Sequence, residues 1–290
     1  MAANFVTDLD IVDQTTVEAA GPAYPVAQWL HGDPKLAAGP GLAGSDRASG
    51  AGVAHTGGII LPDKYLDEGV APAPGWARTT VAFSSGKSED VLAAQKPRLA
   101  VIRTRFRWFV ARGATGVTTF YPRSGYVAES GMRGHVQALC GLHGFDFPVV
   151  VTFKGKASQE FERLLREFSQ KVQEAAYRLS REKAAAGRVT GASQNRFPRF
   201  AFYMRLGAGP HVKVGQKGQE SIITPPVLDL PGAITEEYLS KIYVGRERLL
   251  DFQQTFHDAA DWTAAWDRPG AEETNFDEHE EDESMIVTAG

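Results

Sequence analysis

The sequence predicts an α+β protein with a mainly antiparallel sheet or partly open barrel, one long helix inserted after the central strands, and a helical C-terminal section. Three observations predict this class. Short segments with strand-like alternation, separated by Gly- and Pro-containing turns, fill most of the first half of the chain. One long amphipathic segment follows them. Two further segments with helical apolar spacing precede a polar, acidic end.

Strand signals come first along the chain. Alternation or β-branched content predicts strands at residues 24–31, 57–62, 76–83, 98–110, 116–121, 133–139 and 147–153. The last of these, FPVVVTF, is apolar on both faces, which is typical of a central buried strand. After the long helix, residues 199–206 and 221–224 predict two more strands, with a basic hairpin-like piece at 210–218.

The long helix is predicted to begin at Ser158, a good N-cap residue followed by two residues favourable in a first turn. Its buried face is predicted to comprise Phe161, Leu164, Leu165, Phe168, Val172, Ala175, Ala176 and Leu179. Thr235 is predicted to cap a second helix. Gly245 separates that helix from a third at 246–266.

These elements predict one folded domain at residues 24–268, with a weakly ordered segment at 1–23 before it and a disordered acidic tail at 269–290 after it. Flexible loops are expected at about 33–58, which is rich in Gly and Ala, and at 187–195. The specific barrel expected for this domain is OB-like.

Composition limits the class of protein. A hydrophobic content of 43% and a charged content of 23% are ordinary for a globular protein. An apolar run long enough to span a bilayer is missing from the sequence, and the acidic N-terminus lacks the features of a signal peptide. The single Cys140 excludes an internal disulfide framework. A cytoplasmic location is therefore expected.

The net charge of −4 conceals a strong asymmetry. Residues 97–218 hold 21 Lys and Arg against 7 Asp and Glu, whereas residues 267–290 hold 1 against 9. A basic centre followed by an acidic end favours a polyanionic partner.

The segment Arg98–Val110, RLAVIRTRFRWFV, lies within the basic region and lacks Gly, Asp and Glu. As a regular strand it places Arg103, Arg105 and Arg107 on one face, together with Val101, and an apolar stripe that includes Trp108 on the other. Three unpaired guanidinium groups in a row favour a line of phosphates as their partner. The alternative interpretation is a solvated outer face of an antiparallel sheet.

Aromatic side chains are interleaved with these cations, as in proteins that pair a basic groove with base-stacking platforms. The loops FYPRSG at 120–125 and NRFPRF at 195–200 place arginine beside aromatic residues and proline. The candidate nucleic-acid-binding residues are Arg103, Arg105, Arg107, Trp108, Tyr121, Arg123, Tyr126, Arg133, Lys154, Arg196, Phe197 and Arg199. The alternative is that most of the aromatic rings are core residues.

A basic β-rich body followed by an acidic tail resembles, in its layout, the single-stranded DNA-binding proteins of bacteria, phages and plasmids. The resemblance implies that the tail docks on replication or repair proteins through an apolar tip. The corresponding residues are Glu280, Glu281, Asp282, Glu283, Met285 and Ile286. The tip here is followed by Thr288, Ala289 and Gly290, whereas tails of that family run directly into a terminal Pro-Phe. Two alternatives are that the tail only keeps the protein in solution, or that it competes with nucleic acid for the basic groove.

Signals for an enzyme are weak. Gly86, Lys87 and Ser88 match the end of a phosphate-binding loop, but Val81 stands where its first glycine belongs. His135, Cys140, His143 and Asp146 do not have the spacing of a structural zinc site. No cofactor or metal is therefore expected.

The sequence favours a non-enzymatic protein that binds single-stranded DNA, or RNA, in replication or recombination. Its expected partners are the nucleic acid, replication or repair proteins through the tail, and a second copy in a homo-oligomer, without membrane contact. A metal-dependent enzyme on nucleic acid and a phage or assembly protein that binds an acidic protein are the alternatives.

Overall fold

The computed structural model describes residues 24–32, 53–66, 71–82, 88–110, 119–127, 131–186, 197–215 and 221–267. The predictions for the N-terminal segment, for the loop at 187–195 and for the acidic tail lie outside these residues. Of the loop predicted at about 33–58, residues 53–58 are described, and they form a short helix and the first residue of a strand.

The strands are β1 Val26–Leu30, β2 Gly58–Pro62, β3 Ala77–Ala82, β4 Ser88–Ala94, β5 Arg98–Val110, β6 Thr119–Pro122, β7 Arg133–Leu142, β8 Pro148–Lys154, β9 Met204–Ala208, β10 Val212–Val214, β11 Ser221–Ile223 and β12 Pro226–Leu228. The helices are α1 Val53–Thr56, α2 Gly155–Ala185, α3 Glu236–Ile242, α4 Arg246–Asp258 and α5 Ala260–Ala264. Short 3-10 turns occur at Asp63–Tyr65, Arg123–Gly125, Arg199–Ala201 and Ala265–Asp267.

Ten strands form one sheet in the order β12-β9-β5-β7-β8-β1-β2-β4-β3, and β6 adds to β5. Strands β1 and β8 are parallel, and the other pairs described are antiparallel. The predicted α+β class with a mostly antiparallel sheet is confirmed. In the described part of the chain β12 and β3 do not pair, so the sheet does not close into a barrel.

Helices cover the central strands on both faces. On one face α2 buries Phe161, Leu164 and Phe168 against a core that includes Val136 and Phe153. The spacing of these α2 residues is that of one apolar helix face, as the sequence predicted. Within that layer the rings of Phe153 and Phe161 stack at a centroid distance of 4.0 Å. This stacking fixes α2 directly over β8.

On the opposite face α4 packs Phe252 against the central strands, in a core that includes Ile102, Leu139 and Val150. Gly141 makes this approach possible, because a Cβ atom at that position would lie 2.0 Å from Cζ of Phe252. The close contact brings the C-terminal helices down onto β5 and β7.

A β-bulge at Ile102 changes which residues share a face of β5. Val101 pairs with Cys140, but Arg103 already pairs with Leu139, so Ile102 is the additional residue. The sequence predicted that Val101 lies on the arginine face. The bulge reverses that assignment, because Val101 belongs to the core beneath α2 whereas Ile102 belongs to the core beneath α4.

Several predicted boundaries were wrong. Helix α2 begins at Gly155, directly after β8, and Ser158 is a buried first-turn residue whose hydroxyl donates to the Gly155 carbonyl at 2.7 Å. The single helix predicted at 246–266 is divided at Ala259 into α4 and α5. The Thr235 cap is confirmed, since its hydroxyl accepts a hydrogen bond from the Tyr238 amide at 3.2 Å.

Strands β4 and β12 were not predicted, because their sequences lack a recognisable strand pattern. Strand β4 reads SEDVLAA, three polar residues followed by four buried ones, because its apolar half packs in one hydrophobic cluster through Leu92 and Ala94 and in another through Val91 and Ala93. Strand β12 begins at Pro226, which is tolerated because β12 is at the end of the sheet. Among the described helices, none has the length and apolar content needed to cross a membrane.

Candidate functional site

The arginine row on β5 contacts the C-terminal helices. The Cζ atom of Arg103 lies 3.9 Å from the ring centroid of Phe256, and its Nε donates to the Phe256 carbonyl. Phe256 is in the last turn of α4. A guanidinium group over an aromatic face is a stabilising cation–π arrangement. Arg103 therefore holds the end of α4 against the sheet.

Arg105 lies between two indole rings. Its Cζ atom is 4.1 Å from the ring centroid of Trp262 and 4.3 Å from that of Trp266. Its Nη1 donates to the Trp262 carbonyl at 3.0 Å, and Nε and Nη2 donate to Oε1 of Gln137 at 2.9 and 2.6 Å. The planar fork of an arginine can combine these roles, and a lysine ammonium cannot.

Arg107 continues the row beneath Phe120 and Trp266, with its Cζ atom 3.2 and 4.1 Å from the two ring centroids. It is only 3% exposed. The sequence predicted an unpaired row of guanidinium groups; in the structure all three have aromatic partners within the chain. The predicted row does lie on one face, but α4, α5 and the 3-10 turn after them cover it.

His135 is the cross-strand neighbour of Arg107 and is buried against Trp266, at a ring-centroid distance of 4.9 Å. Among the described residues neither of its ring nitrogens has a hydrogen-bond partner. Burial, followed by the charges of Lys154, Arg107 and Arg105, holds the pKa of His135 well below its ordinary value. A neutral imidazole is the form compatible with these cations.

Two further predicted residues share this face of the sheet. Arg133 pairs with Phe109 across the ladder and is exposed, and Lys154 pairs with His135 and is half-buried. They lie at the end of the sheet where β8 enters α2. They form the outer margin of the face that the C-terminal helices cover.

The opposite face of β5 carries a second group of predicted residues, which we call the Trp108 cluster. Trp108 pairs directly with Tyr121 across the ladder. Its ring lies 4.5 Å from that of Tyr126 and 4.8 Å, edge to face, from that of Phe106. Its Nε1 donates to the Arg123 carbonyl at 3.0 Å. The structure thus brings together the four predicted residues Trp108, Tyr121, Arg123 and Tyr126.

The Trp108 cluster is open to solvent. Tyr126 is 52% exposed, and the side chain of Arg123 is 62% exposed. Arg123 lies above the ring of Phe106 with Cζ 4.9 Å from its centroid, and Nη1 is 3.3 Å from a carboxylate oxygen of Glu162 on α2. An exposed ring supported by a half-buried one, beside an exposed cation, is an arrangement suited to a stacked base and a phosphate.

Phe197 forms a separate aromatic site at the other end of this region. Its backbone is held by Gln173 of α2, whose Nε2 donates to the Phe197 carbonyl at 2.6 Å and whose Oε1 accepts from the Phe197 amide at 3.2 Å. Its ring packs edge to face on Phe202 at 5.5 Å, and the residue is 43% exposed. Phe202 in turn contacts the exposed Tyr243 at 6.0 Å.

Arg199 is half-buried in the 3-10 turn beside β5, where its Nη2 donates to the Ile102 carbonyl at 3.5 Å. Burial lowers the pKa of Arg199 from its ordinary value. Arg199 thus contacts the bulged position of β5. The predicted residue Arg196 and the tail residues Glu280, Glu281, Asp282, Glu283, Met285 and Ile286 lie outside the described residues.

Sequence reasoning missed Tyr243 and the supporting role of Gln173. Tyr243 follows a short helix and was not distinguishable from a core aromatic residue. Gln173 has no motif that signals a contact with a loop 24 residues later. The position of Tyr243 and the contact of Gln173 both depend on the tertiary arrangement of α2 and the end of α3.

The four residues considered as zinc ligands, His135, Cys140, His143 and Asp146, do not form a group that could hold a metal ion. Cys140 is buried, burial raises the pKa of its thiol, and its Sγ donates to the Ala138 carbonyl at 3.3 Å. In the part of the chain that the structure describes, three His, Cys, Asp or Glu side chains do not come close enough to hold a metal ion.

No protein-family model matches this chain, and comparisons with curated proteins and with solved structures also found no match.

Proposed function

We propose that the protein binds single-stranded nucleic acid, with DNA as the expected ligand, and that the Trp108 cluster is the primary contact. The observation that carries this proposal is the half-exposed ring of Tyr126 lying on Trp108 beside the exposed guanidinium of Arg123. A base can stack on Tyr126 while its phosphate reaches Arg123. The strongly basic region at 97–218 supports the same class of ligand.

The support for Tyr126 makes it a rigid platform. Phe106 packs against Trp108, and Trp108 is held by its hydrogen bond to the Arg123 carbonyl. Contact with Trp108 restricts the Tyr126 ring, so less side-chain entropy is lost when a base stacks on it. Stacking of this kind contributes about 1–3 kcal/mol per base and tolerates any sequence.

A single strand is favoured over a duplex because the bases of a duplex are stacked on each other and cannot reach a protein ring. Sheet faces with exposed aromatic residues read unpaired bases in several unrelated folds. An OB-like strand arrangement is part of this proposal, with the oligonucleotide at the exposed Trp108 cluster rather than on the central strands, which helices cover on both faces. A role in replication or recombination is part of the same proposal.

Fluorescence anisotropy with a labelled oligo-dT of about 30 nucleotides tests the proposal, with a duplex of equal length as comparison. Tyr126→Ala should weaken binding by about 5- to 100-fold, while Tyr126→Phe, which keeps the ring, should bind like the wild type. Arg123→Ala should also weaken binding. Arg246→Ala is its matched control, because Arg246 is an exposed arginine at the start of α4, on a different element.

Two results would overturn the proposal. One is the absence of binding to either oligonucleotide at low salt. The other is binding that Tyr126→Ala leaves unchanged, because the platform would then not contribute.

A further inference from the structure

The two edges of β5 are occupied differently. Strand β7 pairs with one edge of β5 from Leu99 to Phe109. Strands β9 and β6 must therefore share the other edge, where β9 pairs with Arg98 and Leu99 and β6 pairs with Arg107 to Val110. Among the described residues, no strand pairs with this edge between Ala100 and Phe106. The 3-10 turn that carries Arg199 contacts this stretch at Ile102, and the Trp108 cluster lies at its other end.

One flank of α2 runs along the same gap. Glu162 contacts Arg123 at one end of the gap, and Gln173 holds Phe197 at the other. These two α2 residues are 11 positions apart, which corresponds to about three turns and about 16 Å along the helix. They therefore lie on the same side of α2. The two exposed aromatic sites are two ends of one surface.

The α2 residues between these ends are polar. Arg166, one turn after Glu162, is exposed and makes no ion pair with any described residue. The opposite flank of α2 is different, because Lys171 there is already paired with Glu167 at 2.7 Å. Arg163, between the two flanks, is also paired, with Glu160 at 2.9 Å. Among the described residues, the flank that carries Arg166 therefore presents a cation that a phosphate can approach without breaking an ion pair.

We propose that a single nucleic-acid strand runs along this surface from the Trp108 cluster past Arg166 to Phe197, so that each end stacks one base. We call this surface the β5-edge strip, defined by Tyr126, Arg123, Arg166, Gln173 and Phe197. The inference rests on the proposed function and adds the path and the second platform. The distance of about 16 Å along α2 between Glu162 and Gln173 corresponds to about five nucleotides at the 3.4 Å spacing of a stacked strand and to fewer in an extended one.

Glu162 has a defined effect in this arrangement. Its carboxylate is 3.3 Å from Nη1 of Arg123 and competes with a phosphate for the same guanidinium. Glu162→Gln removes the competing charge and leaves Arg123 in place. Binding should therefore become tighter by several-fold, a change that a merely structural role of Glu162 does not produce.

The test compares Arg166→Gln and Phe197→Ala with Lys171→Gln in the anisotropy assay. Lys171 is the matched control, because it is on the same helix but lies about 140° around the axis from Arg166. Arg166→Gln should weaken binding several-fold and reduce the slope of log affinity against log salt by about 0.7. Phe197→Ala should weaken binding by about 5- to 100-fold, and Lys171→Gln should have no effect. Thermal melts confirm that each variant is folded.

The outcomes separate this inference from the function on which it rests. One outcome is that the wild type binds and Tyr126→Ala weakens binding, but Arg166→Gln and Phe197→Ala have no more effect than Lys171→Gln. The proposed path along the β5-edge strip is then wrong, whereas the proposed function stands. If polyglutamate of matched charge displaces the oligonucleotide equally well from wild type and from Tyr126→Ala, the strip is a general anion surface and the inference also fails. Absence of oligonucleotide binding by the wild type contradicts the function itself.

Discussion

The guanidinium of Arg107 lies over the indole of Trp266, with 4.1 Å between Cζ and the ring centroid. This contact joins the middle of the sheet to the end of the described chain. It makes the arginine row a docking surface for the C-terminal helices, so an external ligand is expected at the Trp108 cluster on the opposite face of β5.

Replacement of Trp266 tests the docking role. Trp266→Leu keeps an apolar side chain but removes the aromatic face over Arg105 and Arg107, and Trp266→Phe keeps a face. We expect Trp266→Leu to lose about 1–2 kcal/mol more free energy of unfolding than Trp266→Phe, measured by urea denaturation. Equal losses in the two variants would show that only apolar burial matters at this position.

The arginines themselves should affect stability more than binding. Arg105→Lys cannot keep the forked hydrogen bonds to Gln137 together with the stacking on Trp262. We expect a loss of about 1–3 kcal/mol in the free energy of unfolding. Oligonucleotide affinity of the folded variant should stay within about twofold of wild type, because Arg105 lies on the face away from the Trp108 cluster. A large loss of affinity in a stable variant would contradict this expectation and would show that the arginine row belongs to the binding site.

His135 should make stability fall in mild acid. Burial and the neighbouring cations lower its pKa in the folded protein, whereas the unfolded chain has the ordinary value of about 6.5. Below that pH the unfolded state binds a proton that the folded state does not, so unfolding becomes easier by up to about 1.4 kcal/mol per pH unit. Stability that is present above pH 6.5 is therefore lost as the pH falls.

His135→Phe should reduce this acid sensitivity, measured as the difference in unfolding free energy between neutral and mildly acidic buffer. Burial also lowers the pKa of His31 and of His143. Those two groups remain in the variant, so part of the slope should persist. If wild type and variant lose stability in parallel, His135 is not the responsible group.

Removal of residues 269–290 tests whether the acidic end of the chain weakens the binding of nucleic acid. The truncation deletes eight acidic residues and no described residue. We expect thermal stability to be unchanged and oligonucleotide affinity to increase at low salt, with the gain disappearing at high salt as charges are screened. A gain that persists at high salt would contradict a long-range electrostatic origin.

The sequence predicted the positions of most strands and the buried face of α2, because alternation and helical spacing are local properties. The bulge at Ile102 was not predictable, since a run of β-branched and charged residues has the same pattern with or without it. Strand β4 was missed for a related reason: burial on both faces removes alternation from Val91, Leu92 and Ala93.

The candidate site was predicted only in part. Trp108, Tyr121, Arg123 and Tyr126 are close in sequence, and a single strand pairing brings them together. The arginine row was assigned to a ligand because Phe256, Trp262 and Trp266 are about 150 residues away. Tertiary packing decides whether the arginines contact these aromatic residues or a ligand, and local sequence patterns do not encode tertiary packing.

The most direct test of the central claim is the salt dependence of oligo-dT binding by wild type, Tyr126→Ala and Tyr126→Phe, between about 50 and 200 mM salt. The account predicts that wild type and Tyr126→Phe bind the single strand more tightly than a duplex, with affinity falling steeply as salt rises. Tyr126→Ala should be weaker by about 5- to 100-fold with an unchanged slope, because stacking is lost and charge is not. Equal affinity of all three proteins, or binding that prefers the duplex, would contradict it.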